Sequence, residues 1–316
     1  MTPFHFRQST FSITRSSADW IKLVAAIMIA LHHYSQYVWT NHLSDNIIYH
    51  ILCSQAGFIA VAIFFFLSGY GLMESEKKRH LAFGAFIKRR LLKVYVPVVL
   101  ATALWLPASA CLLGSDICHD IRYVLWDFND SAMWFIEAIL LMYVVFGIFI
   151  QLPYKKRTVL PMICLTIMTI VSIAICLAFI QGTFSILALP MFSIGVTASL
   201  CNDSARNMWK VYSSVIGWGA AIILFTGIWE SQYAKYALLD YVFIFIFMLV
   251  FTTWRIDIRS KLAPMAGIVS FDLYLVHNKV LTIMKDGVID MNITTYCLCV
   301  VAATLVFHYI RKAVKV

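Results

Sequence analysis

Apolar runs of roughly 17 to 25 residues, each long enough to cross a bilayer as a helix, recur along this chain with only short polar breaks between them. They lie at approximately 20–39, 51–73, 93–113, 132–152, 159–180, 184–201, 210–229, 237–254, 264–284 and 293–311. Lipid offers no partner for backbone N–H and C=O groups, so a span must be a helix or part of a closed barrel. Continuous rather than alternating apolar runs select helices. With 61% hydrophobic and 13% charged residues and a mean hydropathy of +0.82, the chain carries more apolar surface than a soluble domain of its size can bury. The expected fold is all-α, a polytopic bundle of about ten transmembrane helices. It forms a single unit over 1–316, with no separate soluble domain.

Basic residues in short loops set orientation. Arg7 and Arg15 precede the first run, and Lys77, Lys78, Arg79, Lys88, Arg89, Arg90 and Lys93 fill the break after the second. Lys155, Lys156 and Arg157, then Arg206 and Lys210, then Arg255, Arg259 and Lys261, and finally Arg311, Lys312 and Lys315 continue the same alternate set. The opposite loops hold Arg122, Lys235 and Lys285. Both termini are therefore expected in the cytoplasm. The net charge of +9 follows from this asymmetry and needs no nucleic acid to explain it. The first apolar run is too long for a cleavable signal and reads as a retained helix. The eight cysteines fall mostly inside apolar runs without CxxC or metal-ligand spacing, so no metal is expected. Cys111 and Cys118 flank one outer loop and can pair only in an oxidising compartment.

Ionisable residues inside spans are costly and usually face a cavity or a partner. The stretch KLVAAIMIALHHYSQY, residues 22–37, holds Lys22, His32 and His33, with Asp19 just before it; Glu137 lies in the fourth run, Asp272, His277 and Lys279 in the ninth, and His308 in the tenth. At about 100° per residue, Lys22 and His33 fall about 20° apart on one helical face, Asp19 about 40° from His33, and His32 about 100° away from it. One stripe then carries a cation at the inner boundary and an imidazole about 16 Å deeper. Two plainer readings stay open: Lys22 snorkels to the interface, and the histidines hydrogen-bond to neighbouring helices.

Further stretches join this one. AIFFFLSGYGLMES spans residues 62–75, FIKRRLLKVYVP residues 86–97, WFIEAILLMY residues 134–143, and SFDLYLVH residues 270–277. With Asp19, Lys22 and His33 in the first helix, Phe64, Phe65, Ser68 and Gly69 in the second motif, Arg89, Arg90, Lys93 and Pro97 in the basic junction, and Tyr274, Leu275 and His277 near the end, the chain resembles the membrane acyltransferase-3 family. The resemblance covers nearly the whole chain, in order. Lys22 stands where the family usually has arginine, a point charge in place of a planar fork, and Ala62 stands where many relatives carry an acid.

The resemblance implies an O-acyltransferase of a cell membrane, the bacterial cytoplasmic membrane, moving an acyl group, commonly acetyl, from acetyl-CoA to a hydroxyl of a surface-glycan or lipid-linked sugar. His33 would be the general base and Glu137 a second acid–base group. Lys22, Arg89, Arg90 and Lys93 would hold the phosphates of coenzyme A, and Asp19, Ser68, Trp134 and His277 would support substrate or structure. The partners implied are acyl-CoA, a sugar or glycan acceptor and membrane lipids, with self-association left open. Topology alone also accounts for the basic run, helix packing for Ser68 and Gly69, and an ion pair for a buried Glu137. Trp126, Trp134 and Trp229 suit sugar stacking or interfacial anchoring equally. A proton-coupled transporter of a small or sugar-like substrate is the alternative class, since it too would carry intramembrane His, Glu and Asp.

Overall fold

The computed structural model describes residues 11–116, 134–154, 159–179, 184–202, 205–229, 231–254 and 256–315. Arg7, Cys118, Arg122, Trp126, Lys155, Lys156, Arg157 and Arg255 lie outside them, and with them the Cys111–Cys118 pairing. Helix α1 covers Arg15–Thr40; the short α2, Ile47–Ile51, passes through a π-helical turn, Leu52–Ala56, into α3, Gly57–Lys78. Helices α4 (Phe83–Leu113), α5 (Trp134–Phe149), α6 (Val159–Phe179), α7 (Phe184–Leu200), α8 (Ala205–Trp229), α9 (Ser231–Trp254), α10 (Ala263–Lys285) and α11 (Ile293–Ala313) follow. Among the described residues there is no strand.

Among the described residues, six stretches are long and apolar enough to cross a membrane: Ile47–Lys78, Phe83–Leu113, Val159–Phe179, Asn207–Ile228, Tyr233–Trp254 and Ile293–Ala313. Helix α5 and Ile186–Leu200 are shorter apolar helices. Helices α1 and α10, which carry Asp19, Lys22, His32 and His33 and Asp272, His277 and Lys279 respectively, are not among the six. Large apolar residues on the outer faces stay exposed, Ile228 at 88% and Phe179 at 76%, as a lipid-facing surface requires.

Helix ends differ from the apolar runs in an informative way. Lys88, Arg89, Arg90 and Lys93, expected in a loop, lie inside α4, which starts at Phe83. Hydropathy marks where lipid begins, not where hydrogen bonding begins, and Lys and Arg are good helix formers. Local chemistry sets the true ends. The Thr14 hydroxyl accepts from Ser17 N at 3.2 Å to cap α1, Asn292 caps α11 through Thr294 N at 2.8 Å, and α4 stops at Gly114 with φ of 66°. The start of α1 is tied to the segment before α10: Thr14 donates to Asp257 at 2.8 Å, and Ser17 Oγ accepts from Ile258 N at 2.9 Å. Arg259, donating to Asp257 at 2.6 Å, and then Thr14 hold that exposed carboxyl below the usual carboxylate range.

Packing centres on two crossings. Helix α3 lies along α7 so closely that a Cβ on Gly69 would run into the Phe192 carbonyl, and one on Gly195 into the Phe66 carbonyl. Small residues allow this approach where lipid gives no hydrophobic drive between helices, which is the packing reading of Gly69. Glu74 closes the end of the pair, accepting from Ser199 Oγ at 2.7 Å and Asn202 Nδ2 at 3.0 Å. Helix α1 lies along α10, and α10 is fixed to α11 by the fully buried Asp272, which accepts from Arg311 Nη1 at 2.5 Å and His308 Nδ1 at 2.9 Å.

Candidate active site

Helices α1 and α10 run in the same direction. Near their starts Asp19 occupies the space that a Cβ on Gly267 would need, 2.6 Å from Oδ1. Further along, the rings of His33 and His277 stack with centroids 5.3 Å apart and planes 24° apart. The His277 Nδ1 lies 2.7 Å from the Tyr274 carbonyl and 3.2 Å from that of Leu273. A carbonyl only accepts, so Nδ1 carries the proton and Nε2 presents its lone pair. That Nε2 is buried without a hydrogen-bond partner.

His32 meets a different neighbour. Its Nδ1 lies 3.0 Å from the Leu52 carbonyl in the π-helical turn, and its ring fills the space above Gly57, where a Cβ would lie 2.6 Å from Cδ2. The ring also meets His33 edge-on at 5.1 Å. The expected angle of about 100° between the two histidines holds along α1, yet both face the same cavity, because α10 covers one side of it and the π turn the other. Such π turns inside helices occur often at functional sites.

The cavity has a volume of about 660 Å³, within the usual size of a small-molecule site. His32, His33 and Gln36 of α1, Gly57 and Phe58 of α3, Trp105 of α4, Trp134 and Phe135 of α5, Tyr233, Tyr236 and Asp240 of α9, and His277 of α10 all line it. These positions fall in the later parts of α1, α4 and α10 and the first turns of α3, α5 and α9. Asp240 is 1% exposed, and its Oδ1 has no hydrogen-bond partner. Lys279 Nζ sits over the Trp105 ring, 5.4 Å from its centroid.

The basic residues collect toward the other end. Lys22 Nζ is 3.9 Å from Asp19 Oδ1, and Arg15 Nε 3.8 Å from Asp19 Oδ2. Arg15 and Arg90 act electrostatically on Lys22, and Arg90, Arg89 and Arg15 act on Lys93. The starts of α1 and α4 thus gather one cationic cluster, with the Arg90 guanidinium 5.7 Å from the Phe86 ring centroid. None of these residues is in the cavity wall. Ser68 lies beside Tyr143 across α3 and α5. Glu137 is half-buried on α5, one turn beyond Trp134, and is not in the wall either.

The structure therefore brings His33, His277 and Trp134 together and places Lys22, Asp19, Arg89, Arg90 and Lys93 in a second group. Sequence reasoning missed Asp240, Tyr233 and Tyr236. Asp240 had a signal: it is an acid within the apolar run 237–254, and the rule that picked out the other intramembrane residues applies equally to it.

The match to known families is extensive. The acyltransferase-domain model of the acyltransferase-3 family matches residues 15–311, from the first residue of α1 to the arginine that anchors α11. No curated protein and no solved structure matches the chain. The chain belongs to the acyltransferase-3 family and is a multi-pass membrane acyltransferase.

Proposed function

We propose that this protein transfers an acetyl group from acetyl-CoA to a hydroxyl of a surface-glycan or lipid-linked sugar, with His33 as the general base. A sugar hydroxyl is a weak nucleophile at neutral pH, so its attack on a thioester needs a group to take the proton as the bond forms. The hydroxyl oxygen bonds to the thioester carbonyl carbon while His33 takes the hydroxyl proton. The C–S bond then breaks, and the imidazolium returns the proton to the departing thiolate, giving the ester and free coenzyme A. His277, stacked on His33, offers its Nε2 lone pair to the same space and keeps the acceptor hydroxyl or the base in place.

The observation that carries this reading is the stacked His33–His277 pair in the wall of a 660 Å³ cavity, with the cationic cluster about 16 Å back along the same helix. Coenzyme A carries its phosphates far from its thioester, on a flexible arm. Lys22, Arg89, Arg90 and Lys93 hold the phosphates at the basic face while the arm reaches His33. Asp19 orients Lys22, Ser68 supports the α3–α5 contact beside the site, and Trp134 offers an aromatic wall. Glu137 is the second acid–base group in reserve.

In this reading the single unit over 1–316 crosses a bacterial cytoplasmic membrane about ten times, with both termini and the basic cluster in the cytoplasm and the cavity toward the opposite face. Cysteine labelling at 261 from the cytoplasmic side and at 235 from the other tests that orientation; an external carboxyl terminus refutes it.

The decisive assay is acetyl transfer by the purified protein, followed by release of coenzyme A and mass spectrometry of the glycan. Wild type should add one acetyl mass, and His33→Gln should not. Vesicles that accumulate substrate without releasing coenzyme A would establish the transporter instead. Should both His33→Gln and His277→Gln stay active, the base is Glu137 or another group.

A further inference from the structure

Helix α9 brings three residues to the cavity that neither the histidine pair nor the cationic cluster accounts for: Tyr233, Tyr236 and Asp240. Their spacing of three and then four residues puts them on one helical face. Tyr236 stacks on Phe58 of α3, with centroids 4.5 Å apart and planes 17° apart, and Tyr233 meets Tyr236 edge-on at 6.3 Å. A continuous aromatic wall results. At its inner end is Asp240, 1% exposed, its Oδ1 without a hydrogen-bond partner. No salt bridge forms at this carboxyl among the described residues, in contrast to Asp272, which has both His308 and Arg311.

A buried carboxyl oxygen without a donor costs stability. The buried Asp272 is satisfied by His308 and Arg311, whereas at position 240 packing alone would be served as well by an apolar residue. What Asp240 lacks is a donor, and the cavity is where a donor arrives. The Lys279 and Lys285 ammonium groups, also in the cavity wall, sit over the Trp105 and Tyr37 rings respectively.

We propose that Asp240, with the Phe58–Tyr236–Tyr233 wall, forms the acceptor subsite. Asp240 accepts hydrogen bonds from two neighbouring hydroxyls of a sugar ring whose apolar face lies along the aromatic wall. A carboxyl group has two oxygens with several acceptor positions, which matches a vicinal diol. The aromatic wall supplies contact area, and the carboxylate fixes which hydroxyl turns toward His33. This subsite rests on the acyltransfer reading for its purpose but not for its binding chemistry.

The test uses the full chain in lipid nanodiscs and radiolabelled methyl hexopyranosides of the gluco, galacto and manno series, without any acyl donor. At least one series should bind wild type. Its deoxy analogues lacking either of two adjacent hydroxyls should bind about 10- to 100-fold more weakly. Asp240→Ala should lose the same factor for the parent glycoside and then no longer distinguish parent from those two deoxy analogues. Asp240→Asn, which keeps the shape, guards against misfolding and should give an intermediate loss. The proposal is overturned if no glycoside binds wild type, if both Asp240 variants bind as wild type does, or if the deoxy penalty survives unchanged in Asp240→Ala. Acetyl transfer is read separately: if the glycoside pattern above holds for wild type and Asp240→Ala, yet His33→Gln still transfers acetyl, the general-base assignment fails and the subsite stands.

Discussion

Replacing Gly57 with alanine tests the site through a single methyl group. An added Cβ would lie 2.6 Å from His32 Cδ2, 2.7 Å from Cγ and 2.8 Å from Nε2, whereas unstrained carbon contacts sit at about 3.5 to 4.0 Å. The ring must therefore retreat by about 1 Å. It is not free to do so, being hydrogen-bonded to the Leu52 carbonyl at 3.0 Å and flanked by His33 and Phe58. Overpacking of this kind costs about 1 to 3 kcal/mol. In a protein whose His32 is already alanine the ring is gone, and Gly57→Ala should then stabilise by up to about 1 kcal/mol, the helix preference of alanine over glycine. The sign of one substitution inverts with the identity of residue 32, a coupling of roughly 2 kcal/mol or more. Equilibrium unfolding in mixed micelles, followed by tryptophan fluorescence, reads all four proteins. Acetyl transfer gives a second reading: a ring pushed toward His33 should lower turnover by about 10- to 100-fold. Equal effects of Gly57→Ala in the two backgrounds would refute the contact on which the argument stands.

His33→Gln should lower turnover at saturating donor by about 10² to 10⁴, whereas His32→Ala should cost less turnover and some stability, because it strips a donor from the Leu52 carbonyl; purified variants of matched folding decide this. Lys22→Ala should raise the KM for acetyl-CoA more than it lowers kcat, and Lys22→Arg should keep or improve both, as expected of ground-state attraction to phosphate; initial-rate kinetics over a donor series measure it. Arg311→Met should destabilise by about 3 to 5 kcal/mol by leaving the buried Asp272 with His308 alone, and Asp272→Leu added to it should restore most of the loss; unfolding midpoints report both.

The helical class and the common stripe of Lys22 and His33 on α1 were legible in the sequence for a physical reason: in lipid, apolar length dictates helix, and the helical repeat fixes which residues share a face. The eleven residues from Lys22 to His33 make almost a whole number of turns, so their common stripe could be read from α1 alone. Distances along one helix also foretold that the cation and the imidazole would lie apart, and the two groups do separate. The ends of α4 were less legible. Lys88 to Lys93 leave the apolar stretch but not the helix, since a hydropathy boundary and a hydrogen-bond boundary answer to different solvents.

What the sequence could not convey is which other helices stand around α1. A wheel drawn on one helix gives the angle between His32 and His33, and it is correct, yet it says nothing of a cavity wide enough to take in both. That cavity depends on two absences. The π turn at Leu52–Ala56 turns a carbonyl toward His32, and Gly57 leaves room for the ring that carbonyl holds. Neither has a strong sequence signal, because LCSQAG, residues 52–57, reads equally well as ordinary helix. Asp240 is the opposite case: its signal was present as an acid in an apolar run, but its meaning comes only from the company it keeps. Beside Arg311 and His308 a buried aspartate is a clamp; beside Tyr233, Tyr236 and an open cavity the same side chain is a place for something to bind. Ionisable residues in a membrane thus sort into structural and functional kinds by their partners across helices, and those partners are set by packing, which no single helix records.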